Sequence, residues 1–125
     1  MSQHDLIRLL VLVEISDDYE EPEHVYENVA KRARLCGMVI QFVDVRTALM
    51  ELVGSGLAKA YRLSTTAQAM EIQGFPPVDQ VHEYYFWITE KGKGIVDSTR
   101  GDSWPFDDEG DLRPDWSPPS GTAGA

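Results

Sequence analysis

The sequence predicts an α+β domain in which three helices precede a β-hairpin and a short last helix. Apolar residues recur three times at helical spacing before Gly56, and two stretches rich in aromatic and β-branched residues follow. Beyond Arg100 the composition shifts to glycine, proline, serine and acidic residues. With 125 residues the chain has room for one domain with a single core. We therefore predict a domain over residues 1–100 and an acidic, Pro/Gly-rich tail over residues 101–125.

The first helix starts near Asp5, because apolar residues then repeat at the spacing of one helix face. These residues are Leu6, Ile7, Leu9, Leu10, Leu12 and Val13. His4 or Asp5 is placed to cap the first turn. The helix ends in an acidic loop, residues 16–23, where crowded like charges and Pro22 exclude a buried element.

A second helix follows the acidic loop, because a proline and acidic residues favour a helix N-terminus. Its apolar stripe comprises Val25, Tyr26, Val29, Ala30, Ala33 and Leu35. Lys31, Arg32 and Arg34 lie mostly off this stripe, and Gly37 ends the helix.

Asp44 is a good N-cap for a third helix. Its apolar positions are Val45, Ala48, Leu49, Leu52 and Val53, which follow the spacing of one buried face. Gly54-Ser55-Gly56 ends this helix.

Two strands are predicted next, over residues 57–63 and 81–88, as a hairpin. The connection over residues 64–80 contains Gly74, Pro76 and Pro77, so it forms a long wing, with room for a helical turn near residues 67–70. Thr89 follows the second strand directly and is available to cap the short last helix.

Charge is distributed unevenly along the chain, which has a net charge of −10. Residues 1–29 carry one basic and eight acidic side chains, residues 30–95 carry eight and six, and residues 96–125 carry two and seven. An acidic head and tail thus flank a mildly basic middle, which is able to meet a polyanion despite the overall charge.

Three segments resemble the PadR-type and MarR-type bacterial transcriptional regulators, which are winged helix-turn-helix proteins. They are Tyr26–Ala30 on the second helix, Ala48–Leu57 on and after the third, and Tyr85–Gly92 at the end of the wing. The last is the most specific, because it fixes a strand, a sharp turn and a helix start within eight residues. The resemblance spans about residues 5–98 and implies a winged-helix fold.

The resemblance also implies a DNA-binding regulator whose third helix enters the major groove of double-stranded DNA. The exposed positions of that helix are Arg46, Thr47, Met50 and Glu51. Arg46 is the strongest candidate to read a base, Thr47 could assist, and Glu51 would repel the DNA backbone unless it faces elsewhere. Phosphate contacts would come from Lys31, Arg32, Arg34, Lys59 and Arg62, since residues 64–80 carry no Lys or Arg, unlike the family pattern.

The missing basic wing favours an alternative, a winged-helix protein-interaction module that does not bind DNA. Alternation places Tyr85 and Trp87 on the outer face of the second strand, opposite the core residues Tyr84, Phe86 and Ile88. We expect a second subunit, a partner protein or the tail, through Trp104, Phe106 or Trp116, to cover them; otherwise Trp87 packs on the wing. A further hypothesis is that tail residues 102–115 compete with DNA for the basic middle.

The chain shows no pattern typical of an enzyme. His4, His24 and His82 are far apart in sequence and lack metal-ligand spacing, and Cys36 has no nearby histidine to activate it. We therefore expect no catalytic activity, metal or cofactor. No apolar run is long enough to span a membrane, no leader pattern is present, and a lone cysteine suits a reducing compartment, so we expect a cytoplasmic protein.

Overall fold

The computed structural model describes residues 2–63, 68–100 and 104–117. Its helices are α1 (Gln3–Glu14), α2 (Pro22–Leu35), α3 (Phe42–Gly54) and α4 (Glu90–Arg100), and its strands are β1 (Ala58–Leu63), β2 (Ala69–Glu71) and β3 (Tyr85–Ile88). A 3₁₀ helix, Val78–Glu83, precedes β3. The fold is α+β, with helices packed against a small three-stranded antiparallel sheet.

Capping boxes start α1 and α3 two or three residues before the N-caps that the sequence predicts. Ser2, and neither His4 nor Asp5, is the N-cap of α1: its Oγ accepts a hydrogen bond from the Asp5 N–H at 3.0 Å. The Ser2 N–H donates back to the Asp5 carboxylate, and this bond is the main reason that the pKa of Asp5 falls to about 2. In α3, Gln41 is the N-cap and Asp44 lies at the third helical position, where it accepts from the Gln41 N–H at 2.7 Å. Both predicted caps are therefore wrong, because an acid at the third position binds the N-cap backbone from inside the helix.

The core lies between the three first helices and the inner face of the sheet. α1 contributes seven buried residues, because α2, α3 and α4 all pack against it. α3 packs on α1, α2 and β1 through Val45, Ala48, Leu49 and Leu52. These are four of the five residues predicted for its buried face.

The sheet has three strands in the order β2-β1-β3, and not the two predicted. β2 pairs with the outer edge of β1, Arg62 opposite Met70, so the chain around residue 70 is a strand where a helical turn was considered. Residue 67 of that predicted turn lies outside the described residues, as do residues 64–66 of the predicted wing. The predicted strand over 81–88 starts only at Tyr85, because residues 78–83 take a 3₁₀ conformation after Pro76 and Pro77 and bury Val81.

The acidic loop is fastened to the free edge of β3. Glu20 and Phe86 exchange two backbone hydrogen bonds, at 3.0 and 2.9 Å, and the Ile88 N–H donates to the Ile15 carbonyl at 3.1 Å. Pro22 is fully buried beside this bridge. As predicted, this stretch forms no buried element: Asp17, Asp18 and Glu21 are exposed, and Pro22 is already the first residue of α2. The pairing with Phe86 satisfies the backbone polar groups of Glu20.

Thr89 caps α4 as predicted, since its Oγ1 accepts from the Gly92 N–H at 3.1 Å. Gly92 lies so close to β1 that a Cβ on it would meet the Leu57 carbonyl oxygen at 2.3 Å. Only glycine allows α4 to start there. Of the helices in the described ranges, none is both long enough and apolar enough to span a lipid bilayer.

Candidate binding surface

α3 is packed on one side only. Opposite its buried face, Val43 and Met50 are 47% and 46% exposed, and Arg46 and Thr47 lie half-buried between them. These four residues, three or four positions apart, form one continuous stripe, which we call the α3 stripe. The helix that the sequence singles out therefore has a free face.

Arg46 is the free cation of the α3 stripe. Over residues 2–63, 68–100 and 104–117, no carboxylate or aromatic ring engages its guanidinium. Its five N–H groups are thus available to a planar acceptor such as a phosphate, a carboxylate or a guanine edge.

Glu51 faces away from the α3 stripe. One of its carboxylate oxygens lies 2.7 Å from Nε2 of His4 in the first turn of α1. The repulsion of a polyanion that Glu51 would cause on the exposed face is therefore reduced, since α1 holds the carboxylate to one side.

The first turn of α3 is fixed by ring contacts and carries nearby carboxylates. The His82 ring stacks on Phe42, with centroids 5.2 Å apart, and Tyr26 meets Phe42 edge-on at 5.9 Å. Nδ1 of His82 contacts the Glu23 carboxylate. Together with Asp44, Glu23 makes this end of α3 acidic.

The cations predicted on α2 divide between two environments. Lys31 and Arg34 are exposed and three residues apart, so they are neighbours on the helix surface. Arg32 is half-buried, and its guanidinium carbon lies 5.5 Å from the centre of the Trp104 ring. Arg32 is therefore covered by the C-terminal segment, and Lys31 and Arg34 remain open.

The cations predicted on β1 both have partners. Nζ of Lys59 lies 3.0 Å from Glu71 on β2, and this hydrogen bond raises the pKa of Lys59. The Arg62 guanidinium lies 5.9 Å from the Tyr84 ring. Because they are three residues apart on one strand, Lys59 and Arg62 point to opposite faces of the sheet. The two side chains cannot hold the same surface of a ligand.

Trp87 is covered by Tyr19 of the acidic loop. As predicted, Tyr84, Phe86 and Ile88 are buried, and Tyr85 and Trp87 lie on the opposite face. The Tyr19 and Trp87 rings meet edge to face with centroids 4.5 Å apart, and the Trp87 indole N–H lies 3.5 Å from the Ser16 carbonyl oxygen. The contact therefore comes from the acidic loop, a source that is not among those predicted from the sequence. The missed signal is Tyr19, the one aromatic residue among the charges of the acidic loop.

Trp104 and Phe106 are buried elsewhere, in a cluster continuous with the core. Their rings meet edge to face at 5.4 Å. These two predicted docking residues do dock, but onto the face of the domain that carries Arg32.

An open pocket of about 340 Å³ lies between α1, the end of α3 and α4. Its walls are mostly apolar, with Leu9, Leu12, Leu52, Leu57 and Ile95 among them. Arg8 and Asp5 form an ion pair in its lining, 2.5 Å apart. Sequence reasoning missed this pocket, because its residues come from three separate elements.

The three histidines each lie beside a carboxylate, from another part of the chain or from four residues earlier: His4 by Glu51, His82 by Glu23, and His24 by Glu20. In the part of the chain that the structure describes, His, Cys, Asp and Glu side chains form no group of three that could hold a metal ion. Cys36 is buried, and burial raises the pKa of its thiol to about 11.

No protein-family model, curated protein or solved structure matches this chain. The resemblance to PadR-type and MarR-type regulators therefore stays a prediction.

Proposed function

We propose that this chain is a winged-helix protein that binds duplex DNA through the α3 stripe. The element order supports this, since α2, a short turn and a one-sided α3 are followed by antiparallel strands and a capped last helix. The Glu20–Phe86 bridge adds a further chain segment to the edge of β3, so the sheet braces the helices. A braced helix with a free face is the device by which helix-turn-helix proteins enter the major groove.

The observation that carries the proposal is the free guanidinium of Arg46. It lies in the second turn of α3, beside Thr47, on the side opposite the buried face. Arginine is the side chain that most often reads guanine, by donating to O6 and N7 together, and threonine can assist at a neighbouring base. Lys31 and Arg34 are open to hold phosphates.

We expect phosphate contacts to contribute less to the affinity of this complex than is usual for a DNA-binding protein. Lys59 and Arg32 are already engaged, and Glu23 and Asp44 lie near the first turn of α3. Each phosphate that is neutralised contributes about 0.9 to the slope of log affinity against log salt. With so few open cations, we expect a slope between about −2 and −4.

Arg46→Ala tests the proposal. Loss of one bidentate base contact is expected to weaken binding to the preferred duplex by about 10- to 100-fold. The measurement is fluorescence anisotropy with labelled duplexes selected by the wild-type protein from a random-sequence pool. Arg8→Ala is the matched control, because it removes the same charge from α1, where Arg8 pairs with Asp5. Equal affinities for the two variants, or no binding of any duplex at low salt, would refute the proposal.

A second candidate, a protein-interaction module, is favoured by the apolar part of the same face. Val43 and Met50 flank Arg46, and Val39 in the preceding turn is 82% exposed. Methionine and arginine are enriched at protein interfaces, where buried apolar contact is insensitive to salt. A photo-crosslinking residue at position 50 discriminates the two. Nuclease removes the crosslinked mass if the ligand is DNA, and protease removes it if the ligand is a polypeptide.

A further inference from the structure

Residues 104–116, which we call the cover, form a compact turn of their own. The Arg113 N–H donates to the Pro105 carbonyl at 2.7 Å, and its side chain donates to the Trp104 carbonyl at 2.9 Å. The Asp107 carboxylate accepts from the Glu109 and Asp111 N–H groups at 2.9 and 3.0 Å. The cover is therefore a defined structural element.

The cover is docked on the domain mainly through Trp104 and Phe106, while its third aromatic residue, Trp116, packs against the same core cluster but is only partly buried. Trp104 and Phe106 are only 7% and 5% exposed, although both lie in a segment rich in acidic residues. The Trp104 ring contacts the Arg32 guanidinium, the central cation of the Lys31–Arg34 segment of α2. Aromatic side chains bury so much apolar surface that two of them are enough to hold a short segment in place.

The cover also brings negative charge close to α2. It carries Asp107, Asp108, Glu109, Asp111 and Asp115 against a single arginine, Arg113. Asp107 is three residues from Trp104, so its Cα lies within about 11 Å of the Trp104 Cα. Because the Trp104 ring lies against Arg32, this short stretch of chain keeps the Asp107 carboxylate in the neighbourhood of α2. At about 0.1 M salt, where the Debye length is about 10 Å, its repulsion of a polyanion there is weakened but not abolished.

We propose that the cover shields Arg32 on α2 from polyanions and, through its carboxylates, weakens their binding to the open cations Lys31 and Arg34 beside it. This inference rests on the proposed function and deepens it: duplex DNA must displace the cover to reach Arg32. While the cover is docked, its carboxylates repel the phosphates of a polyanion, and the Trp104 indole lies against the Arg32 guanidinium. A polyanion that binds α2 therefore competes with a segment of the same chain, whose effective concentration is set by its short tether.

The test compares two charge-neutralised variants of the full chain. The cover variant is Asp108→Asn, Glu109→Gln, Asp111→Asn, which changes three exposed side chains and leaves Trp104 and Phe106 in place. The matched control is Asp17→Asn, Asp18→Asn, Glu21→Gln, three exposed side chains of the acidic loop. Both variants change the net charge equally, so a difference between them reports location. The probes are the selected duplex DNA and heparin, measured by anisotropy and by elution salt.

The cover variant is expected to bind both polyanions on the order of three- to tenfold more tightly than the loop variant. In the wild-type chain labelled with fluorotryptophan, saturation of the protein with heparin is expected to move the ¹⁹F chemical shift of Trp104 toward that of a solvent-exposed tryptophan. The chemical shift of Trp87 is expected to stay unchanged. Equal affinities of the two variants would overturn the proposal, and so would saturation by heparin with Trp104 unmoved.

Failure of the proposed function gives a different pattern. If no variant binds duplex DNA but the cover variant binds heparin more tightly than the loop variant, the proposed DNA binding is refuted and the shielding role of the cover is supported. If Arg46→Ala weakens duplex binding while the cover and loop variants bind alike, DNA binding stands and the cover is refuted. If neither polyanion binds any variant, both proposals are refuted.

Discussion

The acidic loop and the cover are alike in composition, yet they attach to the domain by different means. The loop is held by backbone pairing of Glu20 with Phe86 and by the aromatic contacts of Tyr19 with Trp87 and Tyr61. The cover is attached by side-chain burial: Trp104 and Phe106 enter the core cluster, and its own backbone bonds stay largely within the segment. Backbone pairing fixes a segment in one register, but side-chain docking is reversible when a competitor fills the same space. Under the proposal above, the loop is a fixed part of the fold and the cover is the segment that a polyanion displaces.

The largest expected effect is on the cover. Trp104→Ala removes a buried indole and should lower the free energy of unfolding by about 3 to 5 kcal/mol, as for other large-to-small core changes. Urea denaturation followed by circular dichroism measures it. Trp116→Ala is the control, because Trp116 is only partly buried and a smaller loss is expected. A Trp104→Ala protein as stable as the Trp116→Ala protein would mean that the cover is not anchored through its first aromatic residue.

A smaller effect is expected in the acidic loop. Tyr19→Ala removes the edge-to-face contacts with Trp87 and Tyr61 and should lower the free energy of unfolding by about 1 to 2 kcal/mol. Backbone pairing at Glu20 survives the change, so the loop should keep its place. Tyr19→Phe keeps the ring and should match the wild type. Hydrogen exchange at the Phe86 amide is the second readout, and rapid exchange in Tyr19→Ala would show that the aromatic contact holds the loop instead.

The smallest expected effect is on the pH dependence of stability, to which the two segments contribute with opposite sign. Burial raises the pKa of Glu20 in the loop, so the folded state favours its protonated form. Its contribution to stability is most favourable at low pH and declines as the pH rises above 4.5, the ordinary pKa of a glutamate. In the cover, a hydrogen bond from Arg113 lowers the pKa of Asp115, so its contribution is present at neutral pH and declines as pH falls below 3.8.

Glu20→Gln and Asp115→Asn separate these two contributions. Relative to the wild type, Glu20→Gln should gain most at neutral pH, and Asp115→Asn should lose most there. Thermal unfolding of both variants across the acidic range measures this. Changes of the same sign in both variants at neutral pH would contradict the assignment.

Sequence periodicity predicts the helices and the inward face of β3 well, because each depends on local spacing. Phe86 and Ile88 alternate with Trp87 as a half-buried strand requires, and Val45, Ala48, Leu49 and Leu52 mark one face of α3. Helix starts are harder, since an acid at the third position resembles an N-cap, as Asp5 and Asp44 illustrate.

The contacts that define the candidate surface depend on long-range pairing and escape local patterns. Tyr19 and Trp87 are 68 residues apart, and three-residue β2 is too short to show alternation. The α3 stripe is predicted in part: Arg46, Thr47 and Met50 follow from helix geometry, but Val43 precedes the predicted N-cap, Asp44, and so falls outside the predicted helix. The covering of Arg32 by Trp104 could not be predicted residue by residue, because composition alone describes residues 101–125 as a polar tail.

The buried thiol of Cys36 makes this chain convenient for site-specific labelling. With a pKa of about 11, only about one molecule in ten thousand carries a thiolate there at neutral pH. A cysteine introduced at Met50 or Asp108, both exposed, would therefore react with a maleimide dye ahead of the native one. The motion of α3 and of the cover can be followed by fluorescence without removing any residue from the core.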